Sequence, residues 1–115
     1  LLLNAGMNDL MRPALYEAYH HILPLQQSAA QPVPQEIAGP ICESTDVFAK
    51  QRMLPPLEEG AKVAFLTAGA YCSVLANHYN GRALPAEVLL TDSGPKLIRP
   101  AVSDADMIAL EQAQA

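Results

Sequence analysis

Cys42 and Glu43 stand side by side after Gly39-Pro40. A thiol beside a carboxylate forms an acid–base pair in which the thiol can donate a proton. A buried structural cysteine is the more ordinary outcome for that residue type. Arg12 and Tyr16 lie four residues apart beside Pro13. The planar fork of arginine suits a carboxylate; a surface arginine and a half-buried tyrosine are the commoner result of such spacing. Tyr71 follows Gly69-Ala70. Its hydroxyl suits a phosphate or carboxylate site, although tyrosines serve more often in packing. His20 and His21 are adjacent, so on a strand their rings face opposite sides and make a poor metal pair. His78 stands alone, and no HExxH, EF-hand, P-loop or GxSxG pattern is present. A metal site is not expected.

These residues need elements to position them. Leu1-Leu2-Leu3 reads as the end of a buried strand, closed by Asn4-Ala5-Gly6. Asn8 or Asp9 is placed to cap one short helical turn before Pro13. Residues 16–25 lean towards β, with a stop near Pro24. Residues 26–40 are rich in Gln, Ala and Pro and read mostly as loop, with 35–42 entering a strand. Residues 47–54 form the next strand, stopped by Pro55-Pro56. Residues 62–67 give the strongest strand pattern in the chain, ending at the small residues Ala68-Gly69-Ala70. Asn80-Gly81 is a type I′ hairpin pattern that separates a strand over 74–79 from one over 83–91. Ser93-Gly94-Pro95 marks a turn before a strand over 96–99. Ser103-x-x-Asp106 resembles a capping box, with Asp in the usual Glu position. It opens a short C-terminal helix through Met107, Ile108 and Leu110. Met7, Met11, Met53 and Met107 read as core filler. Many short strands with Pro and Gly punctuation predict a mainly β domain, a β-sandwich or β-barrel, with a helical tail.

Composition narrows the function classes. The chain has 115 residues, half of them apolar and 17% charged, with a net charge of −5. That length is one domain with its own core. The mild acidity and the lack of a Lys/Arg stripe argue against nucleic acid. No apolar run approaches the roughly 18 residues of a membrane span. Cys42 and Cys72 are too few for a disulfide framework or a cysteine zinc site, which favours free thiols in a reducing, cytoplasmic setting. A first residue that falls within an apolar run, with no initiator Met and no leader pattern, reads as a fragment.

Taken singly, none of these signals names a reaction. Together, and in order, they resemble diaminopimelate decarboxylases. Residues 4–16, from Asn4-Ala5-Gly6-Met7 through Arg12-Pro13-Ala14-Leu15-Tyr16, are similar to the family string DAGMNDLIRPALY. Gly39-Pro40-Ile41-Cys42-Glu43-Ser44 with Asp46 resembles GPVCESGD. Phe48-Ala49-Lys50 with Arg52 and Leu54-Pro55 resembles FAKDRxLP. Ala68-Gly69-Ala70-Tyr71 resembles DAGAYG, and Asn77, Tyr79-Asn80, Arg82 and Pro85-Ala86-Glu87-Val88 resemble NYNxRxRPAEV. The resemblance runs from about residue 3 to residue 100.

The resemblance implies that residues 1–115 are the C-terminal β-domain, a β-sandwich or Greek-key barrel of the alanine-racemase or ornithine-decarboxylase type. An N-terminal (β/α)8 barrel, absent here, would carry the lysine that bonds covalently to pyridoxal 5′-phosphate and most of that cofactor's site. Lys50, Lys62 and Lys96 do not lie in that lysine motif. The implied activity is conversion of meso-2,6-diaminopimelate to L-lysine and CO2 by a cytoplasmic homodimer whose site is shared across the interface, with residues 42–46 on a tight turn facing the partner. In the implied roles Cys42 donates the proton, Glu43 holds the distal ammonium, Arg12 and Tyr16 bind the distal carboxylate, and Tyr71 contacts cofactor and substrate. The fragment alone would be inactive. Sister carboxy-lyases for carboxynorspermidine, ornithine or arginine are the nearest alternative, and the pair Glu43 and Arg12 weighs against them, because a buried charge left unpaired costs several kcal/mol. A stand-alone domain that regulates a full-length decarboxylase is the alternative of another class. Four positions depart from the family strings: Asn4 and Thr67 replace Asp, and Thr45 and Cys72 replace Gly. The two glycine replacements put the conformation of their loops in question.

Overall fold

A computed structural model describes residues 1–113. The chain is mainly β, as the turn punctuation predicts. Its strands are β1 (Ile22–Pro24), β2 (Val33–Ala38), β3 (Val47–Leu54), β4 (Val63–Phe65), β5 (Glu87–Thr91) and β6 (Gly94–Arg99). They pair antiparallel as three separate two-stranded ribbons, β1 with β4, β2 with β3 and β5 with β6, and no closed barrel forms among the described residues. Among the described residues three α-helices complete the fold: α1 (Arg12–Tyr16), α2 (Gly69–Leu75) and α3 (Asp104–Gln112).

The core is small and lies between the first two ribbons. Leu10, Ile22, Ile37, Phe48 and Leu54 are buried together, with Leu1, Leu3, Val63, Phe65 and Cys72 packed round them. Burial of each such side chain contributes about 1.5–3 kcal/mol. The rings of Phe48 and Phe65 meet at 4.8 Å and tie the two ribbons face to face. Period-2 alternation on β3 would place Lys50 inward with Phe48; a bulge prevents this. Gln35 pairs with Arg52 but Ile37 with Ala49, so two residues of β3 oppose one of β2. Gln51 takes a left-handed φ of 51° there.

No residue of β5, β6 or α3 is buried. These elements extend away from the core, which explains a radius of gyration of 15.9 Å against about 13 Å for a compact chain of this length. The β5–β6 turn follows the predicted Ser93-Gly94 position, with Thr91 Oγ1 donating to the Gly94 carbonyl at 2.7 Å. The capping box opening α3 is present: the Ser103 side chain accepts from the Asp106 N–H, and the Asp106 carboxylate accepts from the Ser103 N–H.

Several sequence expectations need correction. One turn before Pro13 is present, closed by the Gly6 carbonyl, but neither Asn8 nor Asp9 caps a helix there; α1 starts at Arg12 with Met11 in the N-cap position and takes Pro13 into its first turn, where a proline gives up no hydrogen bond. Leu1–Leu3 runs parallel to β2 through a bridge between Leu2 and Ala38, but Leu2 is exposed, so the segment is covered on one side only. Tyr16 ends α1, and only Ile22–Pro24 of the segment 16–25 pairs as strand. Residues 69–75 are helix α2, where strand was expected from 74. Asn80 and Gly81 have the positive φ values a type I′ turn needs, 59° and 66°, yet no strands flank them, and Tyr79–Gly81 is a 3-10 turn. Met53 is 57% exposed and none of the four methionines joins the buried core. The two histidines do diverge: His20 is buried, with Nδ1 3.2 Å from the Leu66 carbonyl, and His21 is exposed.

Candidate functional site

Residues 4–11 form an irregular loop that touches every segment carrying a proposed site residue. Its first turn closes on Gly6, whose carbonyl accepts from the N–H groups of Asp9 and Leu10 at 2.9 and 3.2 Å. The Asp9 carboxylate accepts from the Gly6 N–H at 2.9 Å. The loop runs directly into α1, so Arg12 and Tyr16 inherit its position.

The second segment is held to this loop by one buried carboxylate. Asp46 is 3% exposed. Its Oδ1 accepts from the Met7 N–H at 2.7 Å and its Oδ2 from the Ile41 N–H at 2.7 Å. A Cβ on Gly39 would overlap this carboxylate, so only glycine allows it so close. Between Ile41 and Asp46 the chain makes a tight turn: the Asp46 N–H donates to the Glu43 carbonyl at 3.0 Å, and the Glu43 N–H to the Ile41 carbonyl at 2.7 Å. Cys42 is exposed with a free thiol, and Glu43 is half-buried. The expected tight turn over 42–46 is therefore present.

The third segment also docks on the loop. The Cys72 thiol of α2 donates to the Asp9 carbonyl at 2.8 Å. Burial pushes the Cys72 thiol pKa up, and the Asp9 and Glu87 carboxylates push it in the same direction. One residue earlier, the Tyr71 ring lies under the Arg12 guanidinium at 5.2 Å. Tyr71 is 58% exposed, so the ring keeps a free edge. Among the described residues Arg12 has no ion-pair partner, and neither does Glu43. Glu43 instead has the Ser44 hydroxyl at 3.4 Å from Oε1 and the Tyr79 hydroxyl at 3.4 Å from Oε2.

Two of the five sequence candidates are thus in direct contact, Arg12 with Tyr71. Cys42 and Glu43 share one turn. Tyr16 is exposed one helical turn beyond Arg12 and makes no side-chain hydrogen bond among the described residues. Residue type alone gives no role to Asp46 or Tyr79; the signal for both is their place within the family-like strings at 39–46 and 77–88. A cleft of about 420 Å³ between α1 and β3 is lined by Pro13, Tyr19, Thr45, Phe48 and Lys50 among others, and holds none of the five.

The departures at Thr45 and Cys72 prove benign for the backbone. The non-glycine residues with left-handed φ are Glu17, Gln51, Thr67 and Asn80, so neither former glycine position needs that conformation. Thr67 does need it, at φ 54°, where the Asp of the family string is better tolerated than a β-branched residue. A guanidinium, phenols and a thiol suit the edge of a planar, anionic cofactor. Of the three lysines, Lys50 lines the cleft, Lys96 lies on the β5–β6 hairpin and Lys62 leads into β4, all exposed.

The family model described as "Pyridoxal-dependent decarboxylase, C-terminal sheet domain" matches residues 1–69. The chain is 46% identical over 109 residues to diaminopimelate decarboxylase of Methanocaldococcus jannaschii, covering 95% of this chain and 25% of that one. It is 44% identical over 99 residues to the Aquifex aeolicus diaminopimelate decarboxylase, covering 86% and 24%. Among solved structures, diaminopimelate decarboxylase of Helicobacter pylori complexed with L-lysine superposes with a TM-score of 0.90 at 39% identity, over 99% of this chain and 28% of that one. The chain spans about a quarter of the length of the relatives it matches. It belongs to the pyridoxal-dependent decarboxylase family and corresponds to that family's C-terminal sheet domain.

Proposed function

We propose that residues 1–115 serve as the C-terminal domain of a longer decarboxylase that converts meso-2,6-diaminopimelate to L-lysine and CO2. The observation that carries this reading is the unpaired charge set on one scaffold. The 4–11 loop leads into the helix of the unpaired Arg12, anchors the helix of Tyr71, and holds the turn of Cys42 and Glu43 through Asp46. A half-buried cation and a half-buried anion, neither ion-paired among the described residues, suit a substrate whose far end carries both a carboxylate and an ammonium. The crystal structures of related decarboxylases with L-lysine agree with a product of that size.

In this reading the Arg12 fork and the Tyr16 hydroxyl take the distal carboxylate, and Glu43 takes the distal ammonium. A substrate lacking that head would leave one of them unpaired, which is how the site selects. Tyr71, steadied by Arg12, offers its free ring edge and hydroxyl to cofactor and substrate. Pyridoxal phosphate, when bound, supplies the electron sink that lets the bond from Cα to CO2 break. The Cys42 thiol then delivers a proton to the carbon that CO2 has left, and takes up a proton again once product leaves. The rigid turn behind Cys42 fixes where that proton arrives.

Covalent attachment and most contacts of the cofactor come, in this reading, from the preceding barrel. The active unit is a homodimer in which the 42–46 turn completes the partner's site. The two free thiols suit a cytoplasmic setting. The test is Cys42→Ala in the full-length protein. Turnover should fall about 100-fold or more, while the absorbance of bound pyridoxal phosphate persists. Undiminished CO2 release from that variant would refute the donor role.

A further inference from the structure

Resting on that reading, we propose that Tyr79 is a positioning residue, whose hydroxyl fixes the rotamer of Glu43 so that the carboxylate meets the distal ammonium of the substrate. The Asn77-Tyr79-Asn80-Arg82 motif has no part in the chemistry above, yet it is anchored at both ends to the loop that leads to Arg12. At one end the Asn77 N–H donates to the Asn8 carbonyl at 3.0 Å. At the other, Arg82 Nη2 donates to the Asn4 carbonyl at 2.6 Å. Between these anchors the segment is held by two side-chain contacts and one backbone hydrogen bond of its own. The Tyr79 N–H donates to Asn77 Oδ1 at 3.0 Å, the Gly81 N–H to the His78 carbonyl at 2.8 Å, and His78 Nδ1 lies 2.9 Å from the Arg82 carbonyl.

Asn80 adopts φ 59° and ψ 28° within this bracket, a left-handed conformation that asparagine tolerates better than most residues. The result is a short, pinned turn with one side chain reaching the Cys42–Glu43 turn. The Tyr79 hydroxyl donates to Glu43 Oε2 at 3.4 Å, and the Ser44 hydroxyl donates to Oε1 at 3.4 Å. Each carboxylate oxygen thus has one hydroxyl neighbour and keeps a lone pair for an incoming ammonium. Glutamate loses considerable rotamer freedom when a ligand orders it, and a donor that selects the bound rotamer beforehand recovers part of that loss as affinity. A solvated surface contact with no consequence is the competing description.

The experiment is a double-substitution cycle on the full-length decarboxylase, with CO2 release from meso-2,6-diaminopimelate measured for the unsubstituted protein, Tyr79→Phe, Glu43→Gln and the double variant. Tyr79→Phe should raise KM about five- to tenfold, the upper end of the scale of one ordinary hydrogen bond, as suits a long, solvent-exposed contact, with kcat altered less than about twofold. In the Glu43→Gln background the same change should alter KM by less than about twofold, because the group it positions is gone. Phenylalanine keeps the ring, and Tyr79 is half-exposed, so the melting temperature should be unchanged. A general structural role would lower activity equally in both backgrounds, and that result overturns the proposal. So does an unchanged KM in Tyr79→Phe. No CO2 release from the unsubstituted protein would instead sink the functional reading itself, and this inference with it.

Discussion

Asp46→Asn isolates the contribution of one buried carboxylate to the site. Each oxygen of Asp46 serves a different backbone donor, Oδ1 the Met7 N–H and Oδ2 the Ile41 N–H, both at 2.7 Å. An amide of the same shape has one acceptor oxygen. One donor keeps a weaker, neutral bond, and the other faces an NH2 group that cannot accept. Losing charge assistance costs about 1 kcal/mol, and a buried N–H left without an acceptor costs about 1–3 kcal/mol more. The expected loss is therefore about 2–4 kcal/mol. With a urea dependence of about 1.5 kcal/mol per molar for a chain of this size, the unfolding midpoint should fall by about 1.3–2.7 M. Asp92→Asn, at an exposed turn position, is the control and should shift stability by less than about 0.5 kcal/mol. Gly39→Ala should also destabilise, because its Cβ would overlap the Asp46 carboxylate, and most of that penalty should vanish in an Asp46→Ala background. A midpoint for Asp46→Asn within about 0.3 M of the unsubstituted chain would refute the reasoning.

Thr67 holds a left-handed φ of 54°, which asparagine tolerates better; Thr67→Asn should add about 0.5–1 kcal/mol of stability, and a lower melting temperature would contradict this. Burial raises the folded pKa of the Cys72 thiol above its unfolded value, so its contribution to stability is complete below the unfolded pKa and is lost as pH rises through the folded one. Urea midpoints should therefore fall more at alkaline pH in the unsubstituted chain than in Cys72→Ser, and parallel falls would count against the shift. The Ser103 hydrogen bonds lower the folded pKa of Asp106, so the capping box supports α3 above the unfolded carboxylate pKa and weakens as pH falls through the folded value. Backbone NMR shifts of residues 104–112 should report acid fraying of α3, and Ser103→Ala should remove most of its pH dependence.

Much was legible in the residue order alone. The mainly β class, the cap at Ser103, the turn at Ser93-Gly94 and the divergence of His20 from His21 all follow from short-range rules, in which each residue's backbone preference is satisfied by neighbours a few positions away. The candidate chemistry of Arg12, Tyr16, Cys42, Glu43 and Tyr71 was likewise visible, as residue types within ordered motifs. Tertiary structure decided what those rules leave open. Asn80-Gly81 has the left-handed backbone its residue types favour, but a hairpin needs two flanking strands to pair, and here the preceding segment folds as α2 and docks on Asp9 through Cys72. Asp46 reads locally as one more polar turn residue; it becomes the clamp of the site only because Met7, 39 positions away, turns its N–H towards it. Local preference acts over a few bonds, whereas a buried carboxylate is worth what its distant donors make it, and those donors exist only once the chain has closed on itself.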